Sequence, residues 1–125
     1  MKKLLILLFS MLISVNSYGE WTFFFENSSN TYYIEKDTIK KHNGYIYWWE
    51  LGDRSKPTGN GVMSTKAYKQ GDCGVNRYKG LSYIFYQQPM GRGTQEVENG
   101  PYDWIYPDPD SGGAIFLNFV CDYVK

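Results

Sequence analysis

Residues 64–73 read Ser64-Thr65-Lys66-Ala67-Tyr68-Lys69-Gln70-Gly71-Asp72-Cys73. Two sets of side chains alternate here, Ser64, Lys66, Tyr68, Gln70 and Asp72 against Thr65, Ala67, Lys69 and Gly71, which is the period of a β-strand. The second set leads into Cys73, and the only other cysteine is Cys121, near the end of the 125-residue chain. A bond between the two staples this strand to whichever element carries Cys121, and the intervening chain must fold back between them. Closing a loop of about 49 residues contributes roughly 4 kcal/mol through the entropy of the unfolded chain.

Whether that bond forms depends on the compartment. Met1-Lys2-Lys3 is a basic head, residues 4–15 are apolar except at Ser10 and Ser14, and Ser17 and Gly19 stand at the spacing of a signal-peptidase site. The sequence predicts a cleaved leader over residues 1–19, with cleavage after Ser17 as the alternative, and a single domain over 20–125. The apolar run falls short of the roughly 20 residues that span a bilayer. No cysteine stands at the cleavage site to take a lipid. The expectation is an exported protein with neither membrane span nor lipid anchor. In an oxidising compartment its two cysteines read as one disulfide, two free buried thiols being the alternative. Loss of Lys2 and Lys3 with the leader turns a balance of 13 basic and 13 acidic side chains into a net charge of −2. No strong field then draws the protein to nucleic acid or to an anionic membrane.

Twelve tyrosines, seven phenylalanines and four tryptophans favour strands. Trp21, Phe23 and Phe25 alternate with Thr22, Phe24 and Glu26; Asn27-Ser28-Ser29-Asn30 supplies turn chemistry, and Thr31-Tyr32-Tyr33-Ile34-Glu35 completes a hairpin. Asn27-Ser28-Ser29 also matches a glycosylation acceptor. Residues 37–41 suit one helical turn capped by Asp37, with Ile39 pointing inward. Residues 45–51 are apolar on both faces except at Glu50, as in a central strand. A loop over 52–61 then joins this strand to the one ending at Cys73. Residues 77–86 form a further strand, with Leu81, Tyr83 and Phe85 on one face and Tyr78, Ile84 and Tyr86 on the other. Pro89 ends it, and residues 94–98 are polar enough for an edge strand. Tyr102, Trp104 and Tyr106 should pin an irregular crossing to the core. Residues 111–121 fit either a strand or a short helix capped by Ser111, the latter placing Leu117 and Cys121 on one face.

Reactive side chains are sparse. The single histidine, His42, lies in the solvated stretch Lys-Lys-His-Asn-Gly, and no His and Glu stand at metal-ligand spacing, so no catalytic residue, metal or cofactor is expected. Glu96 and Glu98 read as solubilising charges on an edge. Gly91-Arg92-Gly93 is too short for a phosphate loop. Binding surfaces are the better prospect. Tyr45, Tyr47, Trp48 and Trp49 form the richest aromatic cluster, either sheet core or exposed patch. Arg54, Lys56, Lys66 and Lys69 are the candidate protein-binding residues, spread along the long hairpin and its loop.

The order Tyr32-Tyr33-Ile34-Glu35, Ile39, an aromatic strand, residues 64–73, Arg77, Phe85-Tyr86, Gly93 and Val120-Cys121 before Tyr123 resembles the surface-adhesin protein E family. Tyr-Tyr-Ile-Glu and the two cysteine contexts carry most of the likeness, which covers nearly the whole mature chain. The resemblance implies a mainly β α+β fold: an antiparallel sheet of about six strands, and a C-terminal helix tethered to it through Cys73 and Cys121. It also implies a non-enzymatic bacterial surface protein that binds host extracellular matrix proteins. The competing expectation is a periplasmic structural or accessory protein that binds an envelope partner.

Overall fold

The computed structural model describes residues 20–124; the expected leader over residues 1–19, its cleavage site and Lys125 lie outside them. One antiparallel sheet contains β1 (Thr22–Glu26), β2 (Asn30–Ile34), β3 (Lys40–His42), β4 (Tyr45–Arg54), β5 (Ser64–Asp72), β6 (Arg77–Gln88) and β7 (Arg92–Asn99). A helix, α1 (Gly112–Tyr123), follows. The spatial order is β1-β2-β4-β5-β6-β7, with β3 paired to β4. The architecture is the expected mainly β α+β fold, with one strand more than the sequence pattern suggested.

That extra strand follows from the length of β4. On one edge β2 pairs with residues 50–54 of β4, and β3 pairs with residues 45–47. Between them the Glu35 amide donates to the Trp49 carbonyl, and Thr38 Oγ1 accepts from the Trp49 amide, so the central strand has no unpaired gap there. The helical turn expected over 37–41 is a 3-10 turn at Lys36–Thr38 with Glu35 at its cap position and no side-chain cap; Asp37 does not cap it. Ile39 does turn inward, to 9% exposure. In the first hairpin Asn27 Oδ1 accepts from the amides of Ser29 and Asn30, so this side chain builds the turn.

β4 also runs past residue 51, where the expected loop began. Gly52 stays in the strand because it pairs with Tyr32 on β2 and Thr65 on β5, the Tyr32 ring packing 3.3 Å from where its Cβ would lie, and the loop is confined to residues 55–63. β6 departs from its expected alternation. Tyr68 faces Ser82 but Lys69 faces Gly80, so Leu81 is an extra residue in the ladder. The bulge shifts the period by one. Tyr78 consequently shares a face with Tyr83 and Phe85, and its ring lies 4.8 Å from Lys69 Nζ. β7 is exposed throughout, as befits an edge strand.

α1 lies across one face of the sheet. Ser111 Oγ accepts from the Ala114 amide as N-cap, and Ala114, Phe116, Leu117 and Val120 are buried. Phe116, Leu117 and Val120 meet Ile34, Ile39, Ile46 and Trp48 in the core, with Phe24 and Phe25 packed against Phe116. The approach is close at Gly71, where a Cβ would stand 2.8 Å from Leu117 Cδ1 and 2.9 Å from Ile46 Cγ2. Cys73, just past β5, is bonded to Cys121 on α1, 48 positions further along the sequence, with Cα atoms 5.9 Å apart. The helical reading of residues 111–121 is therefore the correct one. The crossing before α1 is held by backbone pairing of Ile105 with Tyr78 and by the Tyr102 amide on the Gly80 carbonyl. Tyr106 stays 66% exposed, so it pins little.

Candidate functional site

With the helix on one face, alternation along β4 and β5 sends the other set of side chains to a face that, among the described residues, carries no helix. Trp48 turns inward and is fully buried. Its neighbours Tyr45, Tyr47 and Trp49 point the opposite way and are half-buried. Tyr68, directly opposite Trp49 on β5, stacks between two of them, 6.1 Å from Tyr47 and 4.9 Å from Trp49, at interplanar angles of 26° and 27°. The four-residue aromatic cluster of the sequence is thus divided: one ring builds the core and three line a surface. Burial raises the Tyr68 hydroxyl pKa, and Tyr47 adds to the rise.

Trp104 extends the surface. Its ring lies 5.8 Å from Tyr45, with the Arg77 guanidinium 4.1 Å and the Lys79 ammonium 4.5 Å from its centroid. At the other end Lys66 Nζ lies 5.6 Å from the Trp21 ring and 5.4 Å from Tyr86, and Phe23 packs edge-on against Tyr33. Lys40 pairs directly with Tyr47 and shares its face. Cations therefore rim a row of aromatic rings; Asp72 accepts from the Arg77 Nε at 3.1 Å. Nothing in the sequence marked Trp104, Arg77 and Lys79 as partners, because a crossing segment brings Trp104 to β6.

The four basic residues singled out from sequence do not share one surface. Lys66 belongs to the aromatic face. Lys69 points to the helix side, where it pairs with Glu50. Burial pulls its pKa down, but the charge of Glu50 and the hydrogen bond to it outweigh that pull and hold the ammonium above its ordinary value. Arg54 ends β4 with its Nε donating to the Lys56 carbonyl at 3.1 Å, and Lys56 is exposed in the loop. Their alternating positions, 66 against 69, already dictate opposite sides of β5.

On the helix side, beyond the reach of α1, a cleft of about 640 Å³ opens between the 55–63 loop and β7. Thr65, Phe85 and Gln87 form its floor, with Glu96 and Glu98 on one wall and Arg54 on the other. Glu96 and Glu98 thus line a concavity instead of merely blunting the edge. His42 is exposed, with Asn43 Nδ2 3.2 Å from its Nε2. Among the described residues no three His, Cys, Asp or Glu side chains are grouped to hold a metal, and no helix is long and apolar enough to cross a membrane.

Comparison with known proteins places this geometry. The chain is similar in fold to Haemophilus influenzae protein E: in its crystal form II, 17% of aligned residues are identical over 86% of this chain and 92% of the other, with a TM-score of 0.65. A second structure of that protein matches at 16% identity over 84% and 86% of the two chains, with a TM-score of 0.61. No curated protein matches in sequence. The family model of surface-adhesin protein E matches residues 21–122, and the chain belongs to that family.

Proposed function

We propose that this protein is an exported, non-enzymatic, adhesin-like binding protein that meets an acidic protein partner through the helix-free face of its sheet. One observation carries the reading: the stacked row Tyr47, Tyr68 and Trp49, rimmed by Lys40, Lys66 and Lys79, on a face that no helix covers among the described residues. Rigid aromatic rings supply contact area at low entropic cost, and peripheral cations steer an acidic partner and set its orientation. Membership of an adhesin family supports a surface role, and the disulfide suits a location outside the cytoplasm. The partner of this reading is a host extracellular matrix protein; a bacterial envelope protein is the second possibility. Export with cleavage after Gly19 would leave one domain from residue 20 onward, and the intact mass of protein recovered outside the cytoplasm tests that step.

A screen on immobilised matrix proteins, run beside a pull-down from the envelope fraction, separates the two partners. Saturable, salt-sensitive binding to a matrix protein that is lost in Tyr68→Ala supports the adhesin. Capture from the envelope alone assigns the accessory role. Binding unchanged by Tyr68→Ala removes the aromatic face from the function.

A further inference from the structure

The cleft on the helix side is independent of the aromatic face and has a chemistry of its own. Its floor holds one aromatic ring, Phe85, which stacks at 6.4 Å and 16° on Tyr83 beside the cleft. Around that ring stand groups with hydrogen-bonding capacity to spare. Thr65, Gln87 and Glu96 make no side-chain hydrogen bond or ion pair within the protein among the described residues. Arg54 uses Nε on the Lys56 carbonyl, which fixes the guanidinium and leaves its terminal amino groups without a partner among the described residues. Glu98 accepts from the Tyr102 hydroxyl at 3.3 Å and keeps further acceptor capacity.

We propose that this cleft binds a segment of neutral oligosaccharide. A pyranose offers one face of C–H groups, which an aromatic platform covers, and a rim of hydroxyls that both donate and accept. Planar amide, carboxylate and guanidinium groups beside the ring are the partners such a rim requires. The alternatives suit the site less well. A phosphate or sulfate group would meet two carboxylates against one arginine. A purely apolar ligand would take Thr65, Gln87 and Glu96 out of water with nothing to bond. A basic peptide would find the carboxylates but would also meet Arg54.

Two sugars and one peptide test the assignment by amide chemical-shift mapping on the exported protein. The sugars are N-acetylchitotriose, with the linkage of bacterial wall glycans, and N-acetyllactosamine, a unit of glycoprotein glycans; the peptide is oligolysine. Saturable shifts at Thr65, Phe85, Gln87 and Glu96 with either sugar are expected, and the sugar that binds distinguishes the source. Phe85→Ala should weaken that binding about tenfold. Gln87→Ala, at an exposed position, should weaken it in the same sense and serves where Phe85→Ala does not fold. No shift with either sugar, shifts confined to the aromatic face, or shifts with oligolysine alone would overturn the proposal.

Discussion

Lys69 and Glu50 form an ion pair across β5 and β4 with both side chains nearly out of water, 13% and 8% exposed. Trp48 Nε1 donates to the same carboxylate at 3.2 Å, and the Tyr78 ring lies against the ammonium. The pair sits on the helix side of the sheet, next to the aromatic core. A lysine that the sequence offered for partner binding is thereby committed to the interior.

Removing one member should leave the other charge buried and unpaired. Lys69→Ala is expected to destabilise the protein by about 3 kcal/mol, whereas a double change to Met at 69 and Leu at 50 should cost far less. Urea denaturation of the two variants beside the parent checks this. Equal losses would mean that side-chain volume, and not charge, is what matters at this position.

The same pair sets an alkaline limit. Lys69 binds its proton more tightly in the folded state than its ordinary value of 10.5 allows, and Tyr68 likewise exceeds 10.0. Between each unfolded and folded pKa the native state holds more protons, so stability falls as pH rises. The contribution of both groups is complete below about pH 10 and is lost above it as pH passes through the folded values. Melting temperature should decline steeply above pH 10.5, and the decline should be shallower in Lys69→Met. A parallel decline in the variant would assign the alkaline loss to other groups.

The strands were largely legible because aromatic and β-branched side chains mark them, whereas Glu50 stood only as the one exception in the apolar 45–51 run, with no sign of its pairing to Lys69. The features without a local signature come from tertiary placement. The Leu81 bulge moves Tyr78 to the helix side, and no local signal announces an extra residue in a ladder. Gly52 reads locally as a loop residue, and only its pairing with Tyr32 and Thr65 in neighbouring strands holds it in β4. Residues 40–42 pair because β4 outlasts β2, a matter of relative length. The aromatic face was half visible, since Tyr47 and Trp49 share parity, but Trp104 reaches it through an irregular crossing. The cleft required β7 and the 55–63 loop to be in place, so Glu96 and Glu98 read only as edge charges.

Gly71, within the strand that leads to the disulfide, sets how closely α1 approaches the sheet. A methyl group there would stand 2.8 Å from Leu117, 2.9 Å from Ile46 and 3.0 Å from Trp48. All three are fully buried side chains of the core, 0–1% exposed, so the contact cannot be relieved by turning into solvent. Gly71→Ala should cost about 1–3 kcal/mol through displacement of the helix. Thermal unfolding measures the loss, and a variant as stable as the parent would show that α1 can shift freely.

The disulfide fixes that same helix from its far end. Cys121→Ser should destabilise the protein by about 2–5 kcal/mol, as for other small exported domains. Thiol labelling under denaturing, non-reducing conditions should find no free thiol in the exported parent and one in the variant. Two labelled thiols in the parent would refute the bond, and with it the argument from compartment.

The aromatic face predicts a separation between stability and binding. Tyr68 stacks between Tyr47 and Trp49 but remains half-exposed, so Tyr68→Ala should cost the fold only about 1 kcal/mol. As the central ring of a contact surface it should cost binding far more, about 2 kcal/mol or roughly thirtyfold in affinity. The rim acts on a different quantity. Replacing Lys40, Lys66 and Lys79 with Ala should slow association and flatten its salt dependence while dissociation stays nearly constant. Replacing Arg54 and Lys56 instead touches a loop that lies away from the stacked rings, and association should be unchanged. Surface plasmon resonance on the partner identified by the screen, at low and high salt, reads all three sets. If the loop pair slowed association and the rim did not, the contact surface would move from the helix-free face to the 55–63 loop, where the cleft opens.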